Sequence, residues 1–151
     1  MLLLSSPSAH DSTTLWLLHL QRSGMSPMSM TYEELINRLA KRYGWEFAER
    51  FVARVTYDCT QPNACWEWMG GLAGARARPR VRINGQSHYV ARLVLVCVLG
   101  RNLRRRHLAS HTCDNGRCLR PKHLQEATAS INLKDAWRRG RRSPPSLEAD
   151  V

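Results

Sequence analysis

The apolar positions change period several times along the chain, and each change marks an element. Thr31-Tyr-Glu-Glu34 carries the S/T-x-x-E spacing of a capping box, where a hydroxyl and a carboxylate satisfy the first free amides of a helix. Leu35, Ile36, Leu39 and Tyr43 then recur at helical spacing, which predicts a helix over about 32–42, ended by Gly44. A second helical piece follows through Phe47, Phe51 and Val55, up to Tyr57. Asp58–Ala64, with Pro62 and Asn63, reads as a loop. Cys65-Trp-Glu-Trp68 alternates like a strand, and the Gly/Ala-rich stretch 69–77 is expected to loop out. Residues 80–86 read as a hairpin around Asn84-Gly85, because both turn positions tolerate positive φ. In its first strand Val81 and Ile83 face one way, Arg80 and Arg82 the other.

The run 90–99 is apolar throughout, and periodicity alone does not separate helix from strand in so short a segment. Helix is favoured, closed by Gly100. A basic loop spans 101–107, and Thr128 reads as the N-cap of a last helix over about 129–138 with a basic end at 138–142. Residues 1–30 are Ser/Met/Leu-rich without a sustained period and are expected to be disordered; 143–151 form a Pro-containing tail. The expected organisation is a helical arm over 31–57 and one functional domain over 58–142.

Charge sharpens this picture. The formal net charge of the 151 residues is +11, and residues 76–142 carry 17 Lys+Arg against 3 Asp+Glu, whereas 1–75 carry 6 against 7. Such a concentration attracts polyanions, with nucleic acid first and an anionic membrane second. The basic region holds no long amphipathic helix of the kind that lies on a membrane. No basic segment precedes the apolar Met1–Leu4, and Leu15–Leu20 is too short to span a bilayer, so neither reads as a secretory signal or an anchor. Five cysteines, an odd number, argue against a closed disulfide framework. A reducing, cytosolic setting fits, and there Cys/His spacing points to metal.

The densest chemistry lies in His111-Thr-Cys113-Asp-Asn-Gly-Arg-Cys118-Leu-Arg-Pro-Lys-His123. Cys113, Cys118 and His123 supply three of the four N/S ligands that a structural zinc takes. Cys65, at the head of a strand-like segment, is the better candidate for the fourth, and Cys59 the second. Cys97 sits in an apolar run and reads as core. His111 is left outside the metal set. A histidine held rigid beside a structural metal but not bound to it is a candidate general base, since its ordinary pKa lies near neutrality.

These residues, followed by Asn132, resemble the zinc-containing His-Cys box branch of the HNH, or ββα-metal, nucleases. The resemblance covers about 65–142 and includes Cys65-Trp-Glu-Trp68, Asn84-Gly85, Arg92, Asp114-Asn115, Pro121-Lys-His123-Leu124, Thr128, Asn132, Asp135 and Gly140-Arg141. It implies an α+β fold with a ββα-metal core, a small antiparallel sheet and a structural zinc on Cys65, Cys113, Cys118 and His123. It implies His111 as general base, Asn132 as ligand of a catalytic Mg²⁺, and Arg92 near the cleft. Asn115 would brace the loop, and Asp135 would either orient Asn132 or be a surface charge. The chain departs from the pattern at Ser110, where an Asp commonly adds a second carboxylate to the metal, and at Arg120, where Asn is usual.

The expected activity is metal-dependent hydrolysis of phosphodiester bonds in double-stranded DNA. Small phage and bacterial proteins carry this pattern, which implies a bacterial cytoplasm, a phage or prophage origin, and a homing, restriction or DNA-processing role. Arg76, Arg78, Arg80 and Arg82 on the loop and hairpin, with Arg138, Arg139, Arg141 and Arg142 at the end, are the candidate DNA contacts. Simple double-strand cleavage would call for a homodimer, and the sequence shows no dimer element. A zinc-stabilised DNA-binding module without catalysis accounts equally for the charge and the cysteines, but leaves His111 and Asn132 without a task.

Overall fold

The computed structural model describes residues 30–73 and 77–142. The expectations of disorder for 1–30, except at Met30, of a tail at 143–151 and of DNA contact by Arg76 lie outside the described residues; Met30 packs against the core. Helix α1 (Tyr32–Tyr43) opens with the capping box in full: Thr31 Oγ1 accepts from Glu34 N, and the Glu34 side chain accepts from Thr31 N. Gly44, at φ 92°, turns the chain into α2 (Trp45–Val52). The second helical piece stops short of the predicted Tyr57. Val55–Thr56 is instead a short strand, β1, paired antiparallel with β2 (Glu67–Trp68). β-Branched Val55 and Thr56 suit a strand, and the ladder to Trp68 prevails over continuing the helical period.

The stretch 69–77, expected as loop, contributes a two-residue strand, β3 (Leu72–Ala73), which pairs with β4 (Arg78–Ile83). The hairpin of β4 with β5 (Gln86–Tyr89) has the expected register around Asn84-Gly85, with φ 50° and 78° at the two turn residues. Both positive angles match the turn whose twist suits paired strands. Helix α3 (Val90–Leu99) follows, ended by Gly100 at φ 68°. All six residues from Leu93 to Val98, together with Val90 and Ala91, are buried. A helix covered on nearly all sides has no polar face, which is why its period was uninformative.

Strand β6 (His107–His111) runs antiparallel to β7 (Leu124–Thr128), and the Cys/His stretch loops between them, with a short 3₁₀ turn over Pro121–His123. Thr128 Oγ1 caps α4 (Ala129–Arg138) by accepting from Ile131 N. The molecule is therefore mixed α/β, with small antiparallel sheets rather than one large sheet. Its core joins Leu35 and Leu39 of α1, Phe47 and Phe51 of α2, Trp66 and Trp68, the apolar face of α3, and Leu119 and Leu124 of the Cys/His region. Cys97 is buried there as expected, and burial pushes its thiol up to about 11. Among the described residues no helix is long and apolar enough to cross a membrane.

Candidate metal centre and active-site cleft

Two sets of side chains meet on either side of the loop between β6 and β7. On one side Cys65, Cys113, Cys118 and His123 bring their ligand atoms within 4.8 Å of one another, so this group could hold a metal ion. His123 Nδ1 lies 3.7 Å from Cys65 Sγ and 3.4 Å from Cys118 Sγ. Cys59 is exposed and stands outside the group. Burial pushes the Cys65 and Cys118 thiols up and the His123 imidazole down, so in a metal-free state the group resists charge. A cation would offset that cost.

Backbone pairing explains how Cys65 reaches a histidine 58 residues away. Trp68 N donates to Arg117 O at 3.0 Å and Leu119 N to Trp66 O at 2.8 Å, which fastens the loop to β2. Asn115 braces it as expected. Its Nδ2 donates to Glu67 Oε1 at 2.5 Å, and its Oδ1 accepts from Arg117 N at 2.9 Å. Arg120, at the departure from the usual Asn, donates from Nη1 to Ala64 O at 2.7 Å and from Nη2 to Pro62 O. It thereby ties the segment ahead of Cys65 to the cluster.

On the other side lies a cleft of about 880 Å³. His111, Asn132, Ser110, Arg92, Arg78 and Arg142 line it. His111 is 7 % exposed, with Nε2 3.0 Å from Cys118 O and Nδ1 3.0 Å from Arg78 Nη1. A carbonyl only accepts and a guanidinium only donates, so Nε2 carries the proton and Nδ1 keeps its lone pair. Burial first, then the Arg78 charge, lowers the imidazole pKa to about 4. Gly116 makes room for this arrangement: a Cβ there would stand 3.0 Å from Arg78 Nη1.

Asn132 sits in the first turn of α4 and its Oδ1 accepts from Ser110 Oγ at 2.8 Å. Ser110 is itself buried, at 3 % exposure. Ser110 therefore fixes the direction of the Asn132 amide oxygen. Arg92 lies on the cleft wall and holds His107 O at 3.0 Å; it does not touch His111. His107 directs its ring to Arg105 O and takes no part in lining the cleft.

The basic end of the chain is divided. Asp135 is buried and pairs with Arg138, Arg139 and Arg141, so it is neither a surface charge nor a partner of Asn132. Asp114 pairs with Arg139 and Arg141 as well, which fastens the end of α4 to the Cys/His loop. Arg138 is largely exposed, and Arg142 lines the cleft.

Sequence reasoning named Arg78 only as a DNA contact and missed its place against His111. The signal was slight: Arg78 shares a strand face with Arg80 and Arg82, but its partner lies 33 residues on. Comparisons with models of protein families, with curated proteins and with solved structures gave no match.

Proposed function

We propose that this protein is a metal-dependent DNA endonuclease of the ββα-metal type, with His111 as its general base. The observation that carries the reading is the state of His111. It is buried beside a metal-ligand group it does not join, its Nε2–H is fixed on Cys118 O, and its unprotonated Nδ1 accepts from Arg78, which lines the same cleft. The partner of the unprotonated nitrogen is thus a cationic side chain on the cleft wall, which an entering phosphate could draw away. The order β6, Cys/His loop, β7, α4 supports the same reading, because it brings His111 and Asn132 to one wall.

Three cysteines and a histidine form a soft donor set that favours zinc. At ligand distances of about 2.0–2.3 Å, a tetrahedral zinc separates its donors by roughly 3.5 Å. The 3.7 and 3.4 Å contacts of His123 Nδ1 fit that edge. Cys65, Cys113, Cys118 and His123 would then hold a structural ion. Asn132 Oδ1 is a hard oxygen donor of the kind Mg²⁺ takes when waters and phosphate oxygens complete its shell. Bound there, the cation would neutralise charge on the phosphate and the leaving oxygen.

The chain's own part is positioning and proton transfer. His111 Nδ1 accepts a proton from the attacking water while its Nε2–H stays on Cys118 O. Arg78 donates to Nδ1 in the DNA-free protein; with a strand in the cleft its guanidinium turns to a phosphate oxygen, and Nδ1 passes to the water. Arg92 and Arg142 line the path of the strand. The test is incubation of supercoiled plasmid with and without added Mg²⁺. Nicked product only with Mg²⁺ supports the reading, and plasmid left intact in Mg²⁺ by zinc-loaded protein overturns it.

A further inference from the structure

A second depression, of about 280 Å³, lies away from the His111 cleft, with Arg50, Arg54, Arg80 and Arg82 around a floor that includes Phe51 and Trp68. Arg50 comes from the last turn of α2, Arg54 from the turn after it, and the other two from β4. No Asp or Glu lines the depression. Among the described residues none of the four forms an ion pair, whereas Arg101, Arg138, Arg139 and Arg141 all do. The guanidinium of Arg80 rests over the Tyr89 ring at 4.3 Å, and its Nε is buried without a hydrogen-bond partner among the described residues. Arg54 is exposed, with its stem against Gly70: a Cβ there would meet Arg54 Cδ, and the Trp68 ring, at 2.7 Å.

Like charges gathered without counter-ions repel one another, and the arrangement becomes favourable when an anion enters. The floor narrows the class of anion. Phe51 and Trp68 are 0 and 1 % exposed, so their faces are committed to the core and offer no platform for stacking a base. The charged side chains that line the depression are all arginine, whose guanidinium donors suit bare phosphates.

Continuity with the cleft selects the source of those phosphates. Arg78, Arg80 and Arg82 alternate onto one face of β4, at steps of about 6.6 Å for every second strand residue. Arg78 stands at the His111 end, and Arg82 at the depression. Tyr89, beneath Arg80, lines the cleft. A polyanionic strand leaving the cleft along this face runs into the depression.

We propose that the Arg50/Arg54/Arg80/Arg82 depression binds the sugar-phosphate backbone of duplex DNA flanking the cleavage point, making α2 part of the DNA-binding surface. The proposal rests on the endonuclease reading for the identity of the polyanion. It assigns the helical arm a direct role in holding DNA.

The experiment measures equilibrium binding of the full chain to a labelled duplex of a few turns, without Mg²⁺, over a range of salt concentrations. Each phosphate contact contributes about 0.9 to the slope of log K against log salt. Arg50→Gln/Arg54→Gln should bind more weakly and lose about 1.8 from the slope. Arg50→Lys/Arg54→Lys should restore it, since charge rather than shape is at issue. Arg82→Gln, at an exposed strand position, should alone lose about 0.9 and covers the case in which the double variant unfolds. A steep wild-type slope left unchanged in the glutamine variants overturns the depression as a DNA site and leaves the endonuclease reading standing. Absence of salt-dependent DNA binding by the wild type overturns both.

Discussion

Ser110 and Asn132 show how a buried hydroxyl can set the direction of a neighbouring amide. An aspartate before His111 would add a carboxylate, whereas the serine hydroxyl donates to Asn132 Oδ1 at 2.8 Å and fixes the direction of that oxygen. A carbonyl oxygen has two acceptor sites, so the same atom can keep this hydrogen bond and face a cation. A neutral hydrogen bond of this kind contributes about 0.5–1.5 kcal/mol. Ser110→Ala should therefore raise the Mg²⁺ concentration needed for half-maximal nicking several-fold, with DNA affinity unchanged. A variant whose Mg²⁺ dependence matches wild type would remove Ser110 as a positioning residue. At this scale the sequence was readable where residues lie close along the chain: His111, Cys113, Cys118 and His123 fall in one stretch. The contact of Arg78 with His111 was not, because it depends on how β4 lies across the Cys/His loop and on the space left by Gly116.

Among elements, α1, the β4–β5 hairpin and α3 were legible because each carries its own local chemistry: a capping box, an Asn-Gly turn, and an apolar run closed by glycine. β6 and β7 carry no such signal. His107-Leu-Ala-Ser-His111 and Leu124-Gln-Glu-Ala-Thr128 are held as strands by pairing with each other. β1 replaced the end of a predicted helix for the same reason, since its partner Glu67–Trp68 lies beyond a loop. The Cys/His group joins these weakly self-determined pieces, linking the start of the β2 segment to the loop between β6 and β7. A bound structural zinc contributes roughly 10–16 kcal/mol of apparent free energy, as much as the whole net stability of a typical domain. Cys113→Ser should lose the metal and unfold at a much lower temperature, as should wild type after chelation. One zinc per chain by elemental analysis is expected. Metal-free wild-type protein with an unchanged melting temperature would sink this role for the cluster.

For the whole molecule, the distribution of charge was legible and its commitments were not. The 17 basic against 3 acidic residues in 76–142 mark the region that would meet a polyanion in the proposed function. Folding then separates the arginines. Some brace the structure, as Arg120 does on Ala64 and Pro62, or Arg139 and Arg141 on Asp114 and Asp135. Others line the cleft beside His111 or the depression beside α2. The division places the candidate metal group on one side of the Cys/His loop and the His111 cleft on the other, with Cys118 serving both through its thiol and its carbonyl. In the proposed mechanism His111 acts in the reaction and is dispensable for metal retention. The direct measurement is the single-turnover rate of plasmid nicking in Mg²⁺ for wild type and His111→Ala, with DNA affinity and zinc content determined on the same samples. The account predicts a loss of about 10²–10⁴-fold in rate with affinity and zinc retained. A His111→Ala protein that nicks at the wild-type rate contradicts it.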